Sequence, residues 1–174
     1  ALETSCDETA AALVSRDGTV EWLCMPRFDS PSLFGRILDA DAGHWTIQPT
    51  DDFTAERRYL PGSLVLETTF RTAHGVVRLT DALAFSNGQR GHDLGLDAPH
   101  ELIRLVEAVD GEVEMRMELA PRPEYGLVRP LFRRTDTGGQ TFGANRIVVR
   151  TDLDVTVADA TMSGTFTLPL GERT

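Results

Sequence analysis

The chain contains no lysine: all 17 basic residues are arginine, set against 27 acidic ones. The resulting formal charge of −10 gives a surface that repels phosphate backbones and anionic headgroups, so no nucleic acid and no membrane surface is expected as a partner. Long apolar runs are missing as well. Nowhere do 18 apolar residues stand together, and no helical membrane span is expected. Residues Ala1 to Glu8 lack the basic and apolar regions of a signal peptide. Cysteine is limited to Cys6 and Cys24. In a hairpin turning at Asp17-Gly18, Ala11 opposes Cys24, which leaves Cys6 roughly 16 Å away along an extended strand, beyond disulfide reach. Reduced thiols and a cytoplasmic location are the expectation.

Histidine is scarce too. His44, His74, His92 and His100 include no pair at i, i+2 or i, i+4, so no metal site is expected. A Gly-x-Ser-x-Gly elbow, a phosphate loop and a dinucleotide fingerprint are all missing, and no cofactor is expected. Among 27 acidic residues spacing singles out no acid–base pair. No catalytic residue is assigned.

What is present suits one globular domain spanning 1–174. Apolar residues make up 41% and charged ones 25%, and a chain of this length can bury roughly 70% of its unfolded surface. Ala10 to Ser15 and Thr19 to Met25 are apolar-rich runs separated by Arg16-Asp17-Gly18, a hairpin signal. A two-residue Asp17-Gly18 loop sets Leu13 opposite Trp22 and Ala11 opposite Cys24 on a core-facing side, with Val14 and Glu21 on the other. Leu33, Phe34, Ile37 and Leu38 recur at helical spacing, which predicts one short helix near residues 31–39 with Ser30 as N-cap.

His44 to Pro49 reads as a half-buried strand, and Phe53 to Tyr59 is ambiguous. Leu64 to Phe70 and Val76 to Leu83 form strands joined at His74-Gly75, and Ser86 to His100 reads as a surface loop. Glu101–Val109 and Glu112–Pro121 read as a hairpin through Asp110-Gly111. In its second arm Val113, Met115, Met117 and Leu119 alternate with charged residues. An irregular region then runs to Gly143. Arg146 to Val157 is β-branched with a break at Asp152, and Phe166, Leu168 and Leu170 close in alternation. About ten short strands between turn residues predict an all-β fold, an antiparallel β-sandwich.

One stretch invites a functional reading. Pro26 ends the strand carrying Trp22, and Pro31 begins the next element, so Arg27, Phe28 and Asp29 lie in a bracketed loop. Arg27 and Asp29 point the same way on an extended backbone, with Phe28 anchored in the core between them. Guanidinium donors and carboxylate acceptors suit sugar hydroxyls. They equally suit each other, as a pair that merely holds the corner. Trp22 and Trp45 could offer stacking faces, although alternation with polar neighbours favours core burial for both. Tyr125, in a Pro/Gly-bounded turn, is as well placed to cap a strand as to meet a ligand.

The run Ala11–Pro31 closely resembles the start of bacterial glycoside hydrolase family fifteen enzymes, the glucoamylase- and trehalase-like glycosidases. The likeness continues through Arg57–Thr68, Thr80-Asp81, Leu102-Ile103-Arg104, Val109-Asp110-Gly111 and Pro121–Gly126. The resemblance implies an N-terminal β-sandwich of supersandwich type that precedes an (α/α)₆ barrel. In such enzymes the barrel carries both carboxylates of an inverting hydrolysis, set roughly 6.5–9.5 Å apart to admit water. No run of paired helices here could build that barrel. The implied role is a non-catalytic domain of an α-glucoside hydrolase. Its implied partner is the C-terminal helical catalytic domain of the same polypeptide, with the Arg27–Asp29 loop near an α-glucoside bound at the domain interface. A stand-alone carbohydrate-binding module and a purely structural interaction domain are the alternatives.

Overall fold

A computed structural model of the chain describes residues 11–86, 88, 97–143 and 146–174. Cys6, His92 and most of the loop expected over 86–100 lie outside the described residues. The first two strands, β1 (Ala12–Val14) and β2 (Thr19–Cys24), form the expected hairpin, but through a three-residue loop. Ser15 N–H donates to Thr19 O at 2.8 Å, leaving Arg16, Asp17 and Gly18 as the loop. Asp17 Oδ1 accepts from the Ser15 hydroxyl and from Thr19 N–H. Gly18 closes it at φ +79°, where a Cβ would lie 2.3 Å from Ile47 O.

A left-handed glycine in such a loop goes with a β-bulge. Leu13 stays opposite Trp22, yet Val14 pairs with Val20 instead of sharing a side with Glu21. Val20 and Leu23 both enter the core, with Val14 packed against it, and Trp22 is left outside that core. Of the residues expected on the dry side, Cys24 is buried, whereas Trp22 is displaced where the bulge breaks the alternation.

Ser32–Gly35 is strand β3, not helix, and no helix occurs among the described residues. Leu33 and Phe34 both bury, and Phe34 pairs with Leu23 of β2. Ile37 and Leu38 instead stay exposed in a turn closed by Leu38 N–H donating to Gly35 O at 2.8 Å. The apolar spacing mimics a helical stripe, but its two halves serve different surroundings. Ser30 caps nothing helical; its Oγ accepts from Arg27 N–H at 3.2 Å.

The remaining strands are β4 (His44–Pro49), β5 (Thr54–Tyr59), β6 (Leu66–Arg71), β7 (Gly75–Leu83), β8 (Leu102–Gly111), β9 (Glu114–Ala120), β10 (Leu131–Thr135), β11 (Gly138–Phe142), β12 (Val148–Arg150), β13 (Thr156–Ala158) and β14 (Thr161–Thr167). They build three antiparallel sheets. One runs β1-β2-β4-β9-β14-β13 with β3 also on β2, a second runs β5-β6-β7-β8, and a third runs β10-β11-β12. The β8–β9 hairpin does not form. Asp110 and Gly111 continue the ladder on β7, opposite Val76 and Gly75, and the chain then crosses sheets, so that β9 pairs with β4 and β14. The region expected to be irregular up to Gly143 contains β10 and β11.

Phe70, Val77, Leu79 and Val106 of the four-stranded sheet meet Val20, Ile47, Met115, Met117, Leu119 and Met162 of the larger one. Each such side chain contributes roughly 1.5–3 kcal/mol on burial, which makes this the framework that holds the loops. Arg104 spans the same layers. Its side chain is 0% exposed, with Nε 2.8 Å from Asp81 Oδ1. Its other nitrogens donate to Trp45 O at 2.6 Å and Gly18 O at 2.5 Å, and the guanidinium lies 5.1 Å from the Trp45 ring centroid.

Candidate functional site

The loop after β2 is short and internally tied. Ser30 N–H donates to Arg27 O at 3.1 Å, and the Met25–Pro26 bond is cis. Arg27 Nε reaches Asp29 Oδ1 at 3.0 Å, with the two side chains 49% and 55% exposed. Nη2 lies 3.4 Å from Oδ2, making a forked pair. Phe28 corrects the expectation of a buried anchor: it is 49% exposed, because the backbone between the paired neighbours turns rather than extends. The loop thus presents a cation, an anion and an aromatic face to its surroundings at once.

The second candidate pair does come together. Trp22 and Tyr125 rings lie 6.0 Å apart, tilted by 34°. Trp22 is only part-buried, contrary to the expected core position, whereas Trp45 packs against the core as expected. Tyr125 sits in a turn where Glu124, Tyr125 and Gly126 all take positive φ. For Glu124 and Tyr125 that is a sparsely populated conformation, which persists only where the surroundings fix it. Gly126 supplies one restraint, since a Cβ there would sit 2.7 Å from Ala42 Cβ. Arg122 supplies another: it is buried and donates to Pro121 O and Ala160 O, both at 2.8 Å. Burial, seconded by Arg129, pulls the Arg122 pKa below its ordinary value.

Sequence reasoning missed two clefts, because both are made by strands that meet only in the fold. A cavity of about 640 Å³ on the larger sheet is lined by polar groups including Arg36, His44, Arg116, Glu118 and Ser163. His44 Nε2 lies 2.8 Å from Glu118 Oε1. Burial holds the His44 pKa below its ordinary value, and the Glu118 carboxylate only partly offsets it. Such a dyad can accept or donate a proton as the imidazole titrates below its ordinary range. A second cavity, also of about 640 Å³, opens between the layers and is largely apolar; Phe34, Trp45, Leu102, Met117 and Val149 line it. Arg27, Phe28, Asp29, Trp22 and Tyr125 lie outside both linings.

Cys24 is a buried free thiol whose pKa is pushed up by burial despite a hydrogen bond from Trp22, so it is no activated nucleophile. No three His, Cys, Asp or Glu side chains cluster to hold a metal ion among the described residues. No helix there is long and apolar enough to cross a membrane.

Comparison with known proteins bears on this arrangement directly. The family model for trehalase-like N-terminal regions matches residues 3–158. The chain belongs to that trehalase-like N-terminal family. A trehalase of Mycolicibacterium smegmatis is 44% identical over 135 residues, covering 72% of this chain but 20% of the relative. A Mycobacterium tuberculosis trehalase is 43% identical over 133 residues, 71% of this chain and 19% of the relative. Trehalase 1 of Sulfolobus acidocaldarius is 35% identical over 131 residues, 75% of this chain and 20% of the relative. The chain therefore spans about a fifth of the length of the curated relatives it matches. No solved structure gives a significant match. In this trehalase-like N-terminal domain, the buried Arg104–Asp81 pair and the strained turn at Tyr125 fall within the matched residues.

Proposed function

We propose that this chain is the non-catalytic N-terminal β-domain of an inverting α-glucoside hydrolase of trehalase or glucoamylase type, packed on a helical catalytic domain of the same polypeptide. In this reading the loop from Pro26 to Ser30 reaches the mouth of the catalytic domain's pocket. There Arg27 and Asp29 hydrogen-bond sugar hydroxyls and Phe28 closes against the ring. The observation that carries the reading is the match to trehalases over only about a fifth of their length. The loop adds support: its forked ion pair is about half exposed on both partners, where such a pair adds little stability.

Arg27→Ala and Asp29→Asn, made separately in the full-length polypeptide, are expected to lower kcat/KM for trehalose or maltose by roughly 10- to 100-fold through lost positioning. Melting temperature should stay unchanged. Unaltered kinetics in both variants would remove the loop from the substrate pocket.

A second reading, a carbohydrate-binding module, is favoured by one observation: Tyr125 is 47% exposed and its ring lies against that of Trp22, tilted by 34°, an arrangement that can receive a pyranose face. Tryptophan fluorescence during titration with glucosyl oligosaccharides checks it. A change that is lost in Tyr125→Ala supports it, and no response at millimolar sugar ends it.

A further inference from the structure

Residues 127–150 hold five arginines and one carboxylate, in a chain whose net charge is −10. The sheet β10-β11-β12 lies within that stretch. Phe132, Thr141 and Val149 are buried beneath it. Alternation then puts Leu131, Arg133, Gln140, Phe142 and Val148 on the outer face. There Leu131 stands opposite Phe142, and Gln140 lies between Arg133 and Val148. Leu131, Phe142 and Val148 are each about half exposed.

The arginines of this stretch differ in their partners. Arg134 pairs with Asp154, and Arg150 with Glu101. Among the described residues Arg133 and Arg146 have no carboxylate partner. The Arg133 guanidinium lies 5.5 Å from the Phe142 ring centroid, and Arg146 Nη2 donates to Gln140 Oε1 at 3.0 Å. Neither contact neutralises the charge. Exposed apolar side chains gathered with arginine and an aromatic ring have the composition of a protein interface, unlike an ordinary wet sheet face.

Complementary chemistry is present elsewhere on the same chain. Residues 36–41, after β3, are all exposed. Leu38 N–H donates to Gly35 O at 2.8 Å and Ala42 N–H to Asp39 O at 3.0 Å, while Asp41 N–H donates to Asp39 Oδ1 at 2.8 Å. The turn so tied displays Ile37 and Leu38 next to the carboxylates of Asp39 and Asp41, and Arg36 lines the polar cleft beside His44. Copies carrying −10 repel one another, so a contact between them needs a cationic face on one and an acidic face on the other. This chain carries both.

We propose that the outer face of β10-β11-β12 docks the Ile37–Asp41 turn of a second copy of this chain. Ile37 and Leu38 pack on Leu131, Phe142 and Val148, and Asp39 and Asp41 meet Arg133 and Arg146. The two patches are different surfaces, so the contact is heterologous and joins copies head to tail. It uses no residue of the Arg27–Asp29 loop, and its failure would leave the proposed function standing.

Sedimentation velocity of the full-length polypeptide tests it. The mass should rise with protein concentration, and less steeply as salt is raised from about 0.05 to about 0.5 M, because exposed charges are screened. One variant reverses the face (Arg133→Glu with Arg146→Glu), and another reverses the turn (Asp39→Arg with Asp41→Arg). Each alone should associate about tenfold or more weakly, since like charges then meet. Mixed in equal amounts, the two should associate again, because the acidic face of one meets the basic turn of the other; that recovery also shows both to be folded. A mass that neither reversal changes, or a mixture that stays apart, would overturn the proposal. A monomer at every concentration would overturn it too, and shielding of a Val148→Cys thiol from maleimide in that monomer would give the face to the rest of the same polypeptide.

Discussion

Arg104–Asp81 and Arg27–Asp29 are the same chemical pair in opposite settings. The first is 0% and 4% exposed and joins Gly18, Trp45 and β7 into one unit. The second is 49% and 55% exposed and closes on its own loop. A buried guanidinium with one partner removed leaves an uncompensated charge, which is costly. A surface pair gains little Coulomb energy in water and is free to exchange its partner for a ligand. Both pairs lie in stretches that resemble the glycosidase family, so resemblance alone does not separate a pair that holds the fold from one that is open to a ligand. Burial does.

The buried pair should break hardest. Asp81→Ala, which strands the Arg104 charge, is expected to cost about 3–5 kcal/mol, measured by urea unfolding followed by circular dichroism. Arg104→Lys should recover little, because an ammonium cannot make three directed bonds to Asp81, Trp45 and Gly18 at once. Next comes the turn that displays Tyr125. Gly126→Val forces a branched side chain into φ +94° and against Ala42, with an expected cost of about 1–3 kcal/mol in the same assay.

A smaller effect separates the two faces by pH. The unfolded chain protonates His44 near its ordinary pKa of 6.5, and the folded one does so only at lower pH. Stability from this residue is therefore complete above 6.5 and falls as pH drops through that value towards the folded pKa. Urea midpoints should decline over that window, and His44→Gln should flatten the decline. Asp17 behaves as a carboxylate with a depressed pKa: burial opposes the shift, and the Ser15 and Thr19 hydrogen bonds outweigh it. Its contribution is lost only at lower pH still. The smallest stability change belongs to Arg27→Ala, expected to be under about 1 kcal/mol, although it is the one predicted to change kinetics.

Much of the strand pattern is legible in the sequence. The alternation of Val113, Met115, Met117 and Leu119 marks β9 because one face is dry and the other wet. What that alternation cannot carry is the partner: Asp110-Gly111 has hairpin chemistry, but the ladder on β7 claims it. A bulge is equally silent, so simple alternation sets Trp22 on the core side although one extra residue in β2 turns it outward. Leu33, Phe34, Ile37 and Leu38 read as a helical stripe because spacing says nothing of whether both halves face the same surface. In the candidate site, Arg27 and Asp29 are legible as a pair through their bracketing prolines. The Trp22–Tyr125 contact and the His44–Glu118 dyad join residues about a hundred and about seventy positions apart, and only the fold brings them together.

The central claim, that this β-scaffold carries no hydrolytic chemistry of its own, meets its most direct test in a glucose-release assay with trehalose and maltose. Purified residues 1–174, shown to be β-rich by circular dichroism, should release no glucose under conditions where the full-length polypeptide does. Glucose release by residues 1–174 alone would contradict the account.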